Sequence, residues 1–246
     1  MILVIAEMRE GEVRHATYSA LGAGKQLAEL LNAHYDIMVL GKGSQNGADR
    51  LKGLGAANVY YSEAPAVADY TAEAYAAATQ AVIADKGCTV VMTPATTTGK
   101  DLMPRLAGLL DSGMASDVTG FDKSDDGLTY IRPMYAGNAD ARVIIDTPTQ
   151  ILTVRETAFD HAAPGGQDAA MKEVAVDLDA SSLKARFVEF NLSKSERAEL
   201  KEIERQRTVE RDELQPFIDK VEELEAKRAL LKRKVDVIND LKNKQH

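Results

Sequence analysis

The most informative stretch of this chain is Thr93-Pro-Ala-Thr-Thr-Thr-Gly-Lys-Asp-Leu-Met-Pro-Arg-Leu-Ala-Gly-Leu-Leu110. It follows an apolar run, Cys88–Met92, which predicts a buried strand, and leucines then recur at helical spacing between Leu102 and Leu110. We therefore predict a strand, a Thr/Gly loop and then a helix, with Pro104 early in that helix, where a missing N–H costs little. This order places backbone N–H groups where α/β proteins bind anions.

The Thr/Gly loop supplies the candidate cofactor-binding residues Thr97, Thr98, Gly99 and Lys100. Backbone N–H groups at a helix start and a lysine ammonium both attract phosphate. The spacing of a P-loop is absent, however, and the same residue types fit threonines that only cap a core helix. The residues by themselves leave both interpretations open.

Composition narrows the class of protein. The formal net charge of −8 over 246 residues argues against a general nucleic-acid binder. One cysteine, Cys88, cannot form an internal disulfide or a CxxC pair, and burial as a small hydrophobe is expected for it. The start of the chain has no basic region before its short apolar run, so we expect a strand and not a signal peptide. No apolar run approaches the roughly 18 residues of a membrane span.

Strands and helices alternate over the first 110 residues. Near-continuous apolar runs, expected for strands buried on both faces, alternate with segments of helical period. The predicted elements are strands at Ile2–Glu7, Ile37–Leu40, Val59–Tyr61 and Thr89–Met92, and helices at Ala16–Leu31, Ala48–Leu54, Val67–Asp85 and in the stretch up to Leu110. The pattern predicts an α/β fold with a parallel, doubly wound, Rossmann-like sheet of the adenine-nucleotide-hydrolase type.

After Asp111 the pattern changes to short strands separated by turn residues, which predicts an antiparallel β extension on the sheet edge. The candidate strands are Asp117–Phe121, Leu128–Pro133, Ala141–Asp146 and Gln150–Val154, with a hairpin turn at Asp125–Gly127 and further strands at Glu173–Leu178 and Arg186–Asn191. Arg132, Tyr135 and Asn138 flank a bend marked by a proline and a glycine. A partner-binding surface and a purely structural hairpin are both open for these residues, and for Arg155.

The chain divides at residue 193. Residues 193–246 hold 14 Lys/Arg against 13 Asp/Glu, which leaves 16 against 25 for residues 1–192. The tail carries apolar residues at heptad spacing with one polar slot, at Leu214, Phe217, Val221, Leu224, Leu231, Val235 and Ile238. We therefore predict an α/β domain over residues 1–192 and a charged helical tail over 193–246, either a coiled coil or a helical hairpin, that self-associates through 214–241.

Several segments together resemble the N-terminal domain of the electron transfer flavoprotein α subunit. The resemblance covers roughly residues 1–200 and rests on Ile2–Glu7, Ala95–Ala107, Ser116–Thr119, Thr153–Phe159, Ser195–Arg197 and, most specifically, Arg132-Pro-Met-Tyr-Ala-Gly-Asn-Ala139. In that family a second domain, which carries most of the FAD contacts, follows at about Ser195. Here the charged helical tail takes its place, and no Gly-rich segment of the FAD-binding type follows residue 170.

The resemblance implies an electron carrier subunit or fragment, not an enzyme. It implies a β-like partner subunit, FAD as the family's cofactor, supplied here by a separate FAD-domain chain, and AMP bound in a partner subunit. It makes Arg132, Tyr135, Asn138 and Arg155 partner-binding residues, and it implies a bacterial cytoplasm or, in a eukaryote, the mitochondrial matrix. We find no catalytic constellation or metal-binding spacing among the four histidines.

Two other functions stay open from the residues. One is an adenine-nucleotide-binding domain that uses the loop at Thr96–Lys100. The other is a non-catalytic assembly protein that works through its coiled-coil tail.

Overall fold

A computed structural model describes residues 1–124, 127–165, 168–179, 181 and 183–189. The seven-stranded sheet at its centre is parallel at every pairing. Its strands are β1 (Ile2–Ala6), β4 (Tyr35–Leu40), β5 (Asn58–Ser62), β6 (Val90–Pro94), β7 (Met114–Val118), β11 (Gln150–Val154) and β12 (Ala170–Glu173). They lie in the order β12-β5-β4-β1-β6-β11-β7.

Four helices cover the two faces of this sheet, as the alternating pattern predicts. They are α1 (Ala16–Leu31), α2 (Ser44–Leu51), α3 (Ala72–Lys86) and α4 (Thr97–Leu110). α1 and α2 pack on one face with Val4 and Val39, and α3 and α4 pack on the other with Leu3 and Ile5. The odd and even residues of a strand point to opposite faces, which is why β1 is apolar at every position. The predicted parallel α/β class is confirmed.

A second sheet, antiparallel and three-stranded, follows β7. It consists of β8 (Gly120–Ser124), β9 (Gly127–Met134) and β10 (Ala139–Ile144) in the order β10-β9-β8. Phe121 and the fully buried Tyr130 join it to the core on the α1 side, and Phe121 stacks on Phe159 with ring centroids 5.3 Å apart. The predicted antiparallel extension therefore exists as a sheet of its own. A two-stranded hairpin, β2 (Met8–Arg9) and β3 (Glu12–Val13), lies between β1 and α1.

The structure corrects several predicted boundaries. Gln150–Val154 does not belong to the antiparallel extension, because it is β11 and pairs in parallel with both β6 and β7. Asp117–Phe121 is not one strand, because the chain bends there between β7 and β8. The predicted helix Val67–Asp85 begins only at Ala72, and the predicted helix Ala48–Leu54 begins at Ser44 and ends in a 3-10 turn at Lys52–Leu54.

The last strand of the described chain, β12, ends at Glu173. The predicted strands Glu173–Leu178 and Arg186–Asn191 are absent as far as the structure describes those residues. Instead the segment after β12 passes over α3, where Glu73 Oε2 accepts hydrogen bonds from the backbone N–H groups of Lys184 (2.8 Å) and Ala185 (3.2 Å). Residues Met1–Val188 group into one unit by their contacts. The hairpin turn at Asp125 and Asp126 and the helical tail at 193–246 lie outside the described residues.

Candidate functional site

The candidate site lies at the carboxyl edge of the sheet, between β1 and β6. From β1 the chain proceeds to β4 on one side, and β6 lies on the other side of β1. In open α/β sheets, ligands bind in the crevice at such a switch point, next to the helix that starts there. Here that helix is α4, and its first residues come from the Thr/Gly loop.

Glu7 occupies the crevice. It follows β1 directly, is 5% exposed, and its Oε1 accepts a hydrogen bond from the Thr96 hydroxyl. Its Oε2 has no hydrogen-bond partner among the described residues but lies 3.5 Å from Arg14 Nη1. Burial raises the pKa of Glu7, while the Thr96 hydroxyl, the Arg14 charge and the Gly99 backbone N–H oppose that rise.

Thr96 caps α4 in the way its residue type predicts. Its extended backbone precedes the first helical turn, and its hydroxyl accepts from the Gly99 N–H at 3.1 Å. The hydroxyl therefore accepts from the helix and donates to Glu7 at the same time. Both hydrogen-bonding functions of the cap are used inside the protein.

The four predicted cofactor-binding residues lie together in the first turn of α4. Thr97 and Lys100 are exposed, and Thr98 is half-buried, with its carbonyl accepting from the Tyr70 hydroxyl at 3.4 Å. Gly99 is buried, and a Cβ there would lie 2.0 Å from the Pro94 carbonyl oxygen. Close packing of α4 on β6 thus explains this glycine.

Pro104 departs from the expectation. α4 starts at Thr97, so Pro104 lies inside the helix and not in its first turn. A proline here removes the N–H that would bond to the Lys100 carbonyl. The leucine spacing predicted the helix correctly, but it did not predict that the helix begins as early as Thr97.

A second cluster forms around Asp117, at the bend between β7 and β8. Asp117 has a left-handed backbone, with φ of 60°. The Arg155 guanidinium donates to both of its carboxylate oxygens, at 3.2 and 2.6 Å, and the Asp117 N–H donates to Thr153 Oγ1 at 2.9 Å. The guanidinium of Arg155 is thus engaged within the chain, where it holds the bend that starts the second sheet.

The other three predicted partner-binding residues lie on the β9–β10 hairpin. Tyr135 is 80% exposed at the tip, and the Asn138 side chain donates to the Tyr135 carbonyl at 2.7 Å. Tyr135, Ala136 and Gly137 all have positive φ, of 51°, 56° and 90°. Arg132 is half-buried, and its Nε has no hydrogen-bond partner in the described part of the chain. The structure therefore brings together Arg132, Tyr135 and Asn138 on one hairpin, while Arg155 directly follows β11 and contacts the bend through Asp117.

Sequence reasoning did not pair Glu7 with Arg14 or Asp117 with Arg155. The β2–β3 hairpin returns the chain to the end of β1, where the Arg14 N–H donates to the Glu7 carbonyl at 2.9 Å. A signal for Glu7 did exist, because a carboxylate that ends a fully apolar strand lies at the ligand edge of an α/β sheet. No sequence signal identified its partner.

His15, His161 and Glu156 form a further group of titratable side chains outside these clusters. His15 and His161 contact each other edge to face, with ring centroids 4.4 Å apart, and Glu156 lies 3.8 Å from His15 Nδ1. No group of three or more His, Cys, Asp or Glu side chains in the described ranges is arranged to hold a metal ion. Within the same ranges, no helix has the length and apolar character to cross a membrane.

The protein is thus a doubly wound α/β domain with an appended antiparallel sheet and a switch-point crevice at the start of α4. Comparison with known proteins gives the family. The family model of the electron transfer flavoprotein domain matches residues 2–179. The chain belongs to this family, and its domain is that of an electron transfer flavoprotein α subunit at its N-terminal part.

Several relatives are described as electron transfer flavoprotein α subunits. The chain is 37% identical over 204 residues to the electron transfer flavoprotein subunit alpha of Pseudomonas aeruginosa, covering 81% of this chain and 61% of that protein. It is 32% identical over 157 residues to that of Bacillus subtilis, covering 63% and 47%. A probable mitochondrial subunit alpha of Cryptococcus neoformans is 32% identical over 203 residues, covering 80% and 56%. The chain thus matches about half the length of these curated relatives.

Proposed function

We propose that this chain is the partner-binding domain of an electron transfer flavoprotein α-like subunit, which pairs with a β-like subunit and carries no catalytic residues. The family match over residues 2–179 is the observation on which the proposal rests. Pairing would use the β9–β10 hairpin, with Arg132, Tyr135 and Asn138. Bacterial and mitochondrial relatives favour a bacterial cytoplasm or a mitochondrial matrix as its location.

The hairpin tip has the features of a binding surface. Tyr135 presents a large amphipathic ring at 80% exposure, and aromatic residues and arginine are enriched at protein interfaces. Two non-glycine residues hold a left-handed backbone there, which costs about 1–2 kcal/mol each. Strain of this kind concentrates at functional surfaces.

FAD belongs to the proposal as the cofactor of the assembled flavoprotein. We propose that residues 1–246 by themselves hold FAD weakly, and that an FAD-binding domain outside these residues supplies most of the contacts. The charged heptad segment at 193–246 contains no Gly-rich loop that could cradle a pyrophosphate. AMP, if it is part of the assembly, is proposed to lie in the partner subunit. A stoichiometric visible flavin absorption in the purified chain alone would contradict this part.

The decisive experiment measures binding of the full chain to a purified electron transfer flavoprotein β subunit. Tyr135→Ala should weaken that binding about tenfold or more, because tyrosine is enriched among interface hot spots, whose truncation costs about 2 kcal/mol or more. Leu109→Ala is the matched control, since Leu109 is also an exposed apolar side chain, at 46%, but lies on α4. Equal binding of wild type and Tyr135→Ala, or no binding by either, would reject the proposal.

A further inference from the structure

A carboxylate of the protein itself lies where a ligand anion would lie in an open α/β fold. We propose that Glu7 is an internal anion that fills the switch-point site of this domain, and that removing its side chain creates a binding site for a small oxyanion. The unmodified site would then be closed to nucleotide phosphates. This inference is independent of the pairing with a β subunit.

The start of α4 provides the first attraction. The initial N–H groups of a helix have no partner within it and together behave as a partial positive charge of about one half. Thr96 satisfies the Gly99 N–H, and Thr96 in turn donates to Glu7 Oε1. The carboxylate is therefore connected to the helix start through the hydroxyl of its cap.

Arg14 provides a second attraction from an independent element. Its Nη1 lies 3.5 Å from Glu7 Oε2, and the β2–β3 hairpin fixes its backbone beside that of Glu7. Two positive features, the helix start and a guanidinium, thus converge on one side chain that is 5% exposed. Without the Glu7 carboxylate, both would face a cavity that holds no negative charge.

The surroundings set the size of the ligand. Tyr70, from the loop after β5, donates to the Asp101 carboxylate at 2.9 Å and approaches the Thr98 carbonyl at 3.4 Å, so it covers the neighbouring part of the α4 start. Glu7 Oε2 is itself buried from solvent. The room that opens on truncation is therefore close to that of the lost side chain, which fits acetate or phosphate and not a whole nucleotide.

The test compares the full-length protein with its Glu7→Ala variant in sodium acetate and in sodium chloride at equal ionic strength. We expect acetate to raise the melting temperature of Glu7→Ala saturably and to leave that of the wild type at its chloride value. Adding Arg14→Gln to Glu7→Ala should weaken the acetate affinity about tenfold, because charge-assisted contacts to a buried anion are strong. Phosphate should behave as acetate does.

Glu12→Ala is the matched control. Glu12 is also a carboxylate paired with an arginine, Arg50, but its side chain is 62% exposed and lies in the β2–β3 hairpin. This variant also leaves an arginine unpaired, but no helix start lies beside that arginine. Acetate should therefore have no saturable effect on its melting temperature. If Glu7→Ala does not fold in chloride, refolding in acetate should recover it and refolding in chloride should not.

Three results would overturn the inference. One is a Glu7→Ala variant that responds to acetate no more than Glu12→Ala does. Another is a Glu7→Ala variant that fails to refold in either salt. The third is wild-type protein that binds AMP or phosphate in a way that Lys100→Ala abolishes, because the crevice would then be open in the presence of Glu7.

Discussion

Gly99 lies where the first turn of α4 crosses the end of β6. A methyl group there would come within 2.0 Å of the Pro94 carbonyl oxygen, which belongs to the backbone and cannot rotate away. Gly108 lies in the same helix and is exposed, and a methyl group there would meet no atom within 4 Å beyond the backbone of its own helix. Substituting each glycine by alanine therefore distinguishes the effect of close packing, at Gly99, from that of helix propensity, at Gly108.

We predict that Gly99→Ala lowers the free energy of unfolding by about 2–4 kcal/mol, because overpacking against a backbone atom forces α4 away from the sheet. Gly108→Ala should raise it by about 0.5–1 kcal/mol, since alanine is the better helix former. Urea unfolding of both variants measures the difference. Loss of stability in Gly108→Ala of the same size would show that the contact with Pro94 is not the cause.

The buried Glu7 side chain makes the free energy of unfolding depend on pH. Burial raises its pKa above 4.5, so the folded state favours the protonated form more than the unfolded state does. The resulting stability is fully present below pH 4.5 and is lost as the pH rises through the pKa of the folded state. We predict that wild type gains stability relative to Glu7→Gln as the pH falls from neutral toward 4.5, measured by urea unfolding at each pH.

Asp122 serves as a control because its pKa is shifted in the opposite direction from that of Glu7. A hydrogen bond from Arg142 lowers the pKa of Asp122 below 3.8, so its contribution is present above that pH and lost on acidification. The Asp122→Asn comparison should therefore slope in the other direction, and only once the pH falls below 3.8. A Glu7→Gln difference that does not vary between neutral pH and pH 4.5 would contradict the assignment to burial.

At the scale of elements, the β9–β10 hairpin has backbone strain at its tip that its sequence did not predict. Ala136 has φ of 56°, a region in which a Cβ crowds the following carbonyl oxygen. We predict that Ala136→Gly raises the free energy of unfolding by about 1 kcal/mol. Ala141→Gly in β10 should lower it by about 0.5–1 kcal/mol, because glycine weakens a strand interior. Equal losses in both variants, measured by urea unfolding, would argue against strain at the tip.

The strand β11 shows why one element was assigned to the wrong sheet. Gln150–Val154 has the near-continuous apolar pattern of a strand buried on both faces, as β1 has, and Ile151 to Val154 are all buried. That pattern indicates burial on both faces, but it does not say which strands are the neighbours, so the position of β11 between β6 and β7 could not be predicted from the segment itself. Pairing in a sheet is a long-range choice, made by the burial of the whole face.

At the scale of the whole molecule, the tail at 193–246 is the part whose role depends on sequence alone. Its heptad pattern lies outside the described residues and stays a prediction, as does an assembly function through 214–241. We expect the full chain to sediment as an oligomer and Leu224→Glu to shift it toward the monomer, because a charge in an apolar seam leaves that charge buried and unpaired. Ala226→Glu adds the same charge two positions away, on the outer face of the heptad, and should change nothing. Identical sedimentation of wild type and Leu224→Glu would exclude association through this seam.

The residues alone predicted the α/β class, the order of the first strands and helices, the burial of Cys88 and the family, because apolar periodicity and short specific segments are local properties of a chain. The folded structure was needed to show that Glu7 contacts Thr96 and Arg14, that Asp117 pairs with Arg155, and that β11 lies in the parallel sheet. Those contacts join residues from separate elements, so they depend on how the sheet closes around its core. Local pattern predicted that Glu7 ends a buried strand and that Arg155 is a binding or structural residue, but it identified no partner for either.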